Sequence, residues 1–203
     1  KVPGQAFVEP SGEGVRLGAY TRLWDIEYSP LVGERIPLLR RVVGHIGNVR
    51  VRTAATVGGT LCEADYQSDF SVGLVALGAR VHARGLREER VIPIEEFYVG
   101  SYTTALEPDE LVTGVEIDAP PAGAGTAYLK HVTGPSTDRP CVAVAAVLGV
   151  HPGSVSRLGD SCHVVDVPAF ERSVRERDER RVRIEGGEHV GGGNIQAVGG
   201  AQS

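Results

Sequence analysis

Arg52-Thr-Ala-Ala-Thr-Val-Gly-Gly-Thr-Leu-Cys-Glu-Ala-Asp-Tyr-Gln-Ser-Asp69 sets a Gly-Gly pair, several small residues and two aspartates between two apolar segments. Paired glycines let a backbone approach a ligand and reach positive φ with no Cβ penalty. Successive backbone N–H groups turned the same way form an anion-binding nest. The segment therefore reads as a loop, and the loop reads either as a phosphate cradle or as a tight turn between packed elements.

Upstream, Val2 to Gly14 is rich in Gly and Pro and reads as a loop. Val15 to Ala19 alternates and reads as a short strand. Ser29-Pro30 has the form of an N-cap followed by proline at the first helical position. Beyond Pro37, the residues Leu38, Leu39, Val42, Val43 and Ile46 fall on one helical face, with Gly47 as the stop. Downstream, Ser68 or Asp69 caps a helix carrying Phe70, Val72, Leu74, Val75 and Leu77 and ending at Gly78. Ala79–Arg84 and Val91–Ile94 pair as a hairpin, and Leu111–Ile117 is a further strand. The Pro120-Pro121 stretch, running to Gly125, breaks the pattern and marks a boundary. Past it, Thr126–Val132 reads as a strand. Cys141–Val150 does too, although Val142–Leu148 fits a buried helix equally well, because periodicity does not separate the two in so short a run. From about residue 170 the Arg/Glu-dominated, then Gly-rich, composition predicts little order.

The chain has 203 residues, 41% of them hydrophobic, enough for a real core, and a net charge of −5. That charge argues against a nucleic-acid surface, which needs clustered Lys and Arg. No run approaches the ~20 apolar residues that cross a bilayer, and a cytoplasmic location is the simplest expectation. Cys62, Cys141 and Cys162 lack C-x-x-C spacing, which argues against a disulfide framework, a zinc knuckle or an iron–sulfur cluster. No His/Cys/carboxylate group has metal-ligand spacing, and the six histidines are scattered without an evident partner. No nucleophile elbow, Walker or dinucleotide fingerprint is present. Asp69 reads either as a helix cap or as a site residue. Lys130, the one lysine besides Lys1, reads either as part of an exposed face or as a site residue.

The order of the pieces is more specific than any one of them. Ile46-Gly-Asn-Val-Arg-Val-Arg52, Thr56-Val-Gly-Gly59, Ala64-Asp65, Ser68-Asp69 and Val75-Ala-Leu-Gly-Ala79 come in sequence. Ile92-Pro93, Phe97-Tyr-Val-Gly100, Thr103-Thr-Ala-Leu-Glu-Pro-Asp-Glu-Leu111, Tyr128-Leu-Lys130 and Asp138-Arg-Pro-Cys141 follow. From about Leu17 to Leu148 this set resembles the FAD-binding medium subunit of the molybdenum hydroxylases. The resemblance departs at Thr60, where the family usually has Asn or Asp. It departs again at Glu63 and Tyr66, which replace a common His and Pro, and at Arg139, where some members carry an aromatic residue.

The resemblance implies an α+β fold: residues 1–119 as the second subdomain of the two-subdomain FAD-binding fold, then 125–170 as part of a small sheet-plus-helix domain, then a poorly ordered tail over 171–203. The family's first subdomain, with its own Gly-Gly loop, has no counterpart here. With no methionine in the chain, this reads as a fragment or processed product. The resemblance further implies FAD as cofactor, with Thr56, Val57, Gly58, Gly59 and Thr60 around the diphosphate. Asp69 would lie toward the ribose and adenine, and Val112 would contact the adenosine part through its main chain. Lys130 would lie beside the isoalloxazine, where a cation stabilises the reduced flavin, and Asp138–Cys141 would come close to the ring. The function implied is a dehydrogenase's electron-transfer station, placed between the [2Fe–2S] clusters of a small subunit and an external acceptor, with molybdenum chemistry on a large subunit. No side chain is assigned as a general acid or base. The alternative is a non-catalytic fragment that binds FAD weakly or not at all.

Overall fold

The computed structural model describes residues 4–135 and 139–149. In chain order the elements are β1 (Val8–Ser11), β2 (Gly14–Gly18), α1 (Leu23–Tyr28), α2 (Pro30–Arg35), α3 (Pro37–Gly44), α4 (Val49–Ala54), α5 (Val57–Glu63) and α6 (Asp69–Ala76). Then come β3 (Arg80–Arg84), β4 (Glu89–Pro93), α7 (Ile94–Phe97), β5 (Tyr98–Gly100), β6 (Thr103–Thr104), β7 (Leu111–Ile117), β8 (Gly125–His131) and β9 (Val142–Leu148).

Five strands form an antiparallel sheet in the order β1-β2-β7-β3-β4. Side chains alternate across a strand, so Val15, Leu17, Val81, Ala83, Ile92, Val115 and Ile117 form one fully covered face. The register sets Arg16 opposite Glu116 and Glu116 opposite Arg80 on the other face. Leu23, Ile26, Val32, Ile36, Leu39, Val43, Val57, Leu61, Phe70 and Leu74 from the helices complete the main core against the covered face. A second core holds Leu38 and Val42 of α3, Val72 and Ala76 of α6, and Tyr128, Ala143, Ala145 and Val147 of the β8–β9 hairpin. Helices α3 and α6 are thus buried on two sides, and α6 is apolar almost all round because it is sandwiched.

Several expectations hold. Ser29 caps α2 by accepting the Val32 N–H, with Pro30 at the first turn. Ser68, rather than Asp69, caps α6 through the Ser71 N–H. The hairpin is present as β3–β4, with Ile94 opening α7 instead of closing the strand. Val142–Leu148 resolves as a strand: its alternate residues Ala143, Ala145 and Val147 face the second core while Val142 stays exposed.

Others are corrected. The Gly/Pro-rich opening holds a strand, β1, whose Pro10 sits on the edge of the sheet where its missing N–H costs nothing. Helix α3 stops at Gly44, with His45 as C-cap, three residues before the left-handed Gly47. Residues 52–69 are not a loop: they run from the last turn of α4 through α5 into α6, and the Gly-Gly pair lies in the first turn of a helix. Helix α1 and helix α4, both six residues long, carried too little periodicity to announce themselves. Cys162, Asp138 and the tail over 171–203 lie outside the described residues.

Candidate functional site

Helix α5 begins at Thr56, whose Oγ1 accepts the Gly59 N–H at 3.2 Å. The Val57 N–H donates to the Thr21 carbonyl at 2.9 Å, and the Gly58 N–H donates to the Ala19 carbonyl at 2.8 Å. These two amides stitch the helix to the end of β2, so the nest anticipated here is spent on the fold. The glycines retain a reason for being glycines. A Cβ at Gly58 would lie 3.1 Å from Ala19 Cβ and 3.2 Å from its carbonyl oxygen. A Cβ at exposed Gly59 would lie 3.0 Å from Thr56 Oγ1.

Residues Thr56, Gly58, Gly59 and Cys62 share one side of α5, as helical spacing requires, and line a groove of about 560 Å³. Its opposite wall is Leu111, Val112 and Thr113 of β7, with Arg84, Gly85 and Leu86 from the β3–β4 turn. The register between β3 and β7 slips between His82 and Ala83, leaving Thr113 unpaired in a bulge. Such bulges re-aim a strand next to a site; here the freed Thr113 carbonyl accepts the Ala19 N–H at 3.0 Å. Burial raises the pKa of the Cys62 thiol, which keeps it protonated at neutral pH.

Thr60 lies on the other side of α5 and lines a second cavity of about 250 Å³ with Ala55, Glu63, Asp65, Asp69 and Arg139. Asp69 is buried at its inner end. Tyr128 Oη donates to Asp69 Oδ1, and Lys130 Nζ donates to Asp69 Oδ2 at 3.0 Å and to the His45 carbonyl at 3.0 Å. Both charged side chains are 5% exposed. Burial raises the Asp69 pKa, outweighing its hydrogen bonds from Tyr128 and Lys130. Burial and the facing carboxylate raise that of Tyr128. Arg139 pairs with Asp65 and, at 3.1 Å, with Glu63, while Gln67 Nε2 donates to the Pro140 carbonyl. The two departures at Glu63 and Arg139 therefore meet each other.

Of the eight site residues, Thr56, Gly58, Gly59 and Val112 meet at the first groove, Thr60 and Asp69 at the second, and Val57 is buried in the core. Asp69 and Lys130 are in direct contact with each other. Lys130 is not an uncompensated cation either: Asp69 offsets its charge. Lys130 also lies on no exposed face, and Asp69 caps no helix.

Sequence analysis gave no site role to Tyr128, Cys62, Arg84 or Leu86. Tyr128 was legible as the same-face neighbour of Lys130 on an alternating strand. Cys62 follows from Gly58 and Gly59 once Val57–Glu63 is helical. His82 has a partner after all: its Nε2 lies 3.2 Å from Glu116 Oε2, a cross-strand contact no local pattern announces.

Residues 1–120 match the family described as the FAD binding domain in molybdopterin dehydrogenase. Alpha subunit of the 6-hydroxypseudooxynicotine dehydrogenase complex of Paenarthrobacter nicotinovorans is 33% identical over 63% of this chain and 43% of that one. The carbon monoxide dehydrogenase medium chain of Afipia carboxidovorans is 31% identical over 72% of this chain and 50% of that one. Among solved structures, carbon monoxide dehydrogenase from Hydrogenophaga pseudoflava, in a form lacking the Mo-pyranopterin moiety of its cofactor, superposes with a TM-score of 0.72 at 30% identity. That match covers 77% of this chain and 54% of the solved chain. The chain spans about half the length of the relatives it matches.

Proposed function

Because this chain belongs to the FAD-binding domains of molybdopterin dehydrogenases, we propose that it is the flavin-carrying part of an oxidoreductase medium subunit. We place the cofactor across the N-terminal half of α5. The observation that carries the placement is the meeting of Thr56, Gly58, Gly59 and Val112, four residues drawn from two distant stretches, on one groove.

The residues present fit a diphosphate at one point. The groove's volume lies in the range of ligand sites, ~300–1,000 Å³. Gly59 offers bare backbone on its floor, and Thr56, whose Oγ1 lone pair is taken by the Gly59 N–H, keeps its hydroxyl proton to donate. Arg84, ion-paired with Glu89 at 3.2 Å, stands at the rim together with Asp109. Val112 offers main chain beside exposed Leu86 and Leu111, an apolar wall suited to the adenosine part. Across α5, the Asp69–Tyr128–Lys130 cluster suits the flavin end, as a neutral hydrogen-bonded unit rather than a bare charge.

When bound, the cofactor supplies the redox chemistry, between the [2Fe–2S] clusters of a small partner subunit, fed by a molybdenum centre on a large one, and an external acceptor. The protein's share is binding, orientation and electrostatics. In this proposal residues 1–119 are one subdomain of the FAD-binding fold and 125–170 begin the next domain. Among the described residues no helix is long and apolar enough to cross a membrane.

A second reading, weak or absent FAD binding by this chain alone, is favoured by the two α5 amides already spent on Thr21 and Ala19. Gel filtration of the protein mixed with FAD separates the two. Co-elution of yellow flavin with the protein supports the first reading, and a protein peak free of flavin at high concentration supports the second.

A further inference from the structure

Away from α5, helices α1 and α3 bound a cavity of about 500 Å³ lined by Glu27, Tyr28, Pro37, Arg40, Arg41, Gly44 and His45. Its charge is lopsided in a chain whose net charge is −5. Arg40 and Arg41 are exposed, and neither has a carboxylate within ion-pair distance among the described residues. Arg41 reaches only the Thr126 carbonyl, at 3.4 Å. The one acid on the wall, Glu27, is already taken: Arg52 Nε lies 2.7 Å from its Oε2 and Arg52 Nη2 3.5 Å from its Oε1. His45 Nδ1 lies 2.7 Å from the Arg41 carbonyl. A carbonyl only accepts, so Nδ1 carries the hydrogen in this contact. Tyr28 is 57% exposed, with its ring supported from one side by Trp24 at a centroid distance of 4.2 Å.

We propose that this cavity binds a phosphate-bearing anion, at a site separate from the FAD groove. Two guanidiniums offer forked donors to phosphate oxygens, the chemistry in which arginine excels. The ring of Tyr28 gives a platform on which the base of a nucleotide stacks, if the phosphate comes as one. The site touches the buried cluster through one residue, because the His45 carbonyl holds Lys130 and the His45 ring packs edge-on against Tyr128 at 5.4 Å.

Trp24 is the chain's one tryptophan and sits beside the cavity, so its fluorescence is a local reporter. The full chain is titrated with inorganic pyrophosphate and, separately, with ADP, at constant ionic strength. The expected result is a saturable change with either ligand, weakened about tenfold or more in Arg40→Ser/Arg41→Ser and retained in Gly59→Asp. Tighter binding of ADP assigns a nucleotide, and equal binding assigns a free phosphate. No saturable change, or a change untouched by the double substitution, overturns the proposal. A change lost in Gly59→Asp also overturns it, because the ion would then lie in the groove of α5. Both exposed arginines can be replaced without opening the core, and circular dichroism of the double variant confirms the fold. The titrations are run without FAD, and Gly59→Asp separates binding here from binding in the groove of α5.

Discussion

Lys130 and Asp69 are separated by 61 positions in the chain and by 3.0 Å in space. A charged pair this buried has already lost its hydration, so removing one partner costs far more than the pair contributes. Lys130→Gln should therefore destabilise the fold by about 3–5 kcal/mol, and Asp69→Asn in the same chain should recover most of that loss. Denaturant midpoints of the two single variants and the double variant check this; additive losses would show the residues to be uncoupled. Glu110 makes a different case. The guanidinium of Arg90 first, and the Glu107 N–H second, lower its pKa from the ordinary 4.5 to about 2. A depressed carboxylate contributes stability above its unfolded pKa and loses it as pH falls through its folded one. The stability difference between the natural protein and Glu110→Gln should be constant above pH 4.5 and vanish as pH falls toward 2. Chemical denaturation across that range measures it, and a difference independent of pH would count against the pairing. At this scale the residue types were readable in the sequence, but the partnerships were not. Asp69 with Lys130, His82 with Glu116 and Arg139 with Asp65 all join distant segments, and no local pattern encodes a contact of that kind.

Elements were legible where a periodic face met a starting proline or a cap. Helix α3 declared itself through Leu38, Leu39, Val42 and Val43, and helix α6 through Ser68 and its apolar run. Helix α5 was hidden because glycine is among the weakest helix formers, at about 1 kcal/mol below alanine, so two in succession read as a loop. Tertiary bonds overrode that preference: Thr56 caps the helix, and the Val57 and Gly58 amides tie it to the end of β2. Glycine plays another part in α6. A Cβ at Gly73 would sit 3.0 and 3.1 Å from the two Val42 methyl carbons, where α3 and α6 cross. Gly73→Ala gains about 1 kcal/mol of helix propensity and loses about 1–3 kcal/mol to overpacking. The net expectation is destabilisation, visible as a lower melting temperature. A rise in melting temperature would mean that the two helices are not in close contact at Val42.

Over the whole molecule, the fold places one short helix between two cavities and backs it with a five-stranded sheet. The sheet's bulge at Thr113 brings Val112 to the helix, and the β8–β9 hairpin brings Lys130 to Asp69 behind it. The general class, a mixture of helices and sheet, followed from the resemblance that the ordered motifs carry. The strand order β1-β2-β7-β3-β4 did not, because β7 inserts between partners far from it in sequence. Whether FAD lies across α5 at Gly59 is decided by a titration of FAD followed by its visible absorbance. The natural chain should give a saturable, protein-bound flavin spectrum. Gly59→Asp should abolish it, because a carboxylate would project into the groove where the diphosphate lies. An unperturbed free-flavin spectrum with the natural chain, or an equally strong bound spectrum with Gly59→Asp, would contradict it.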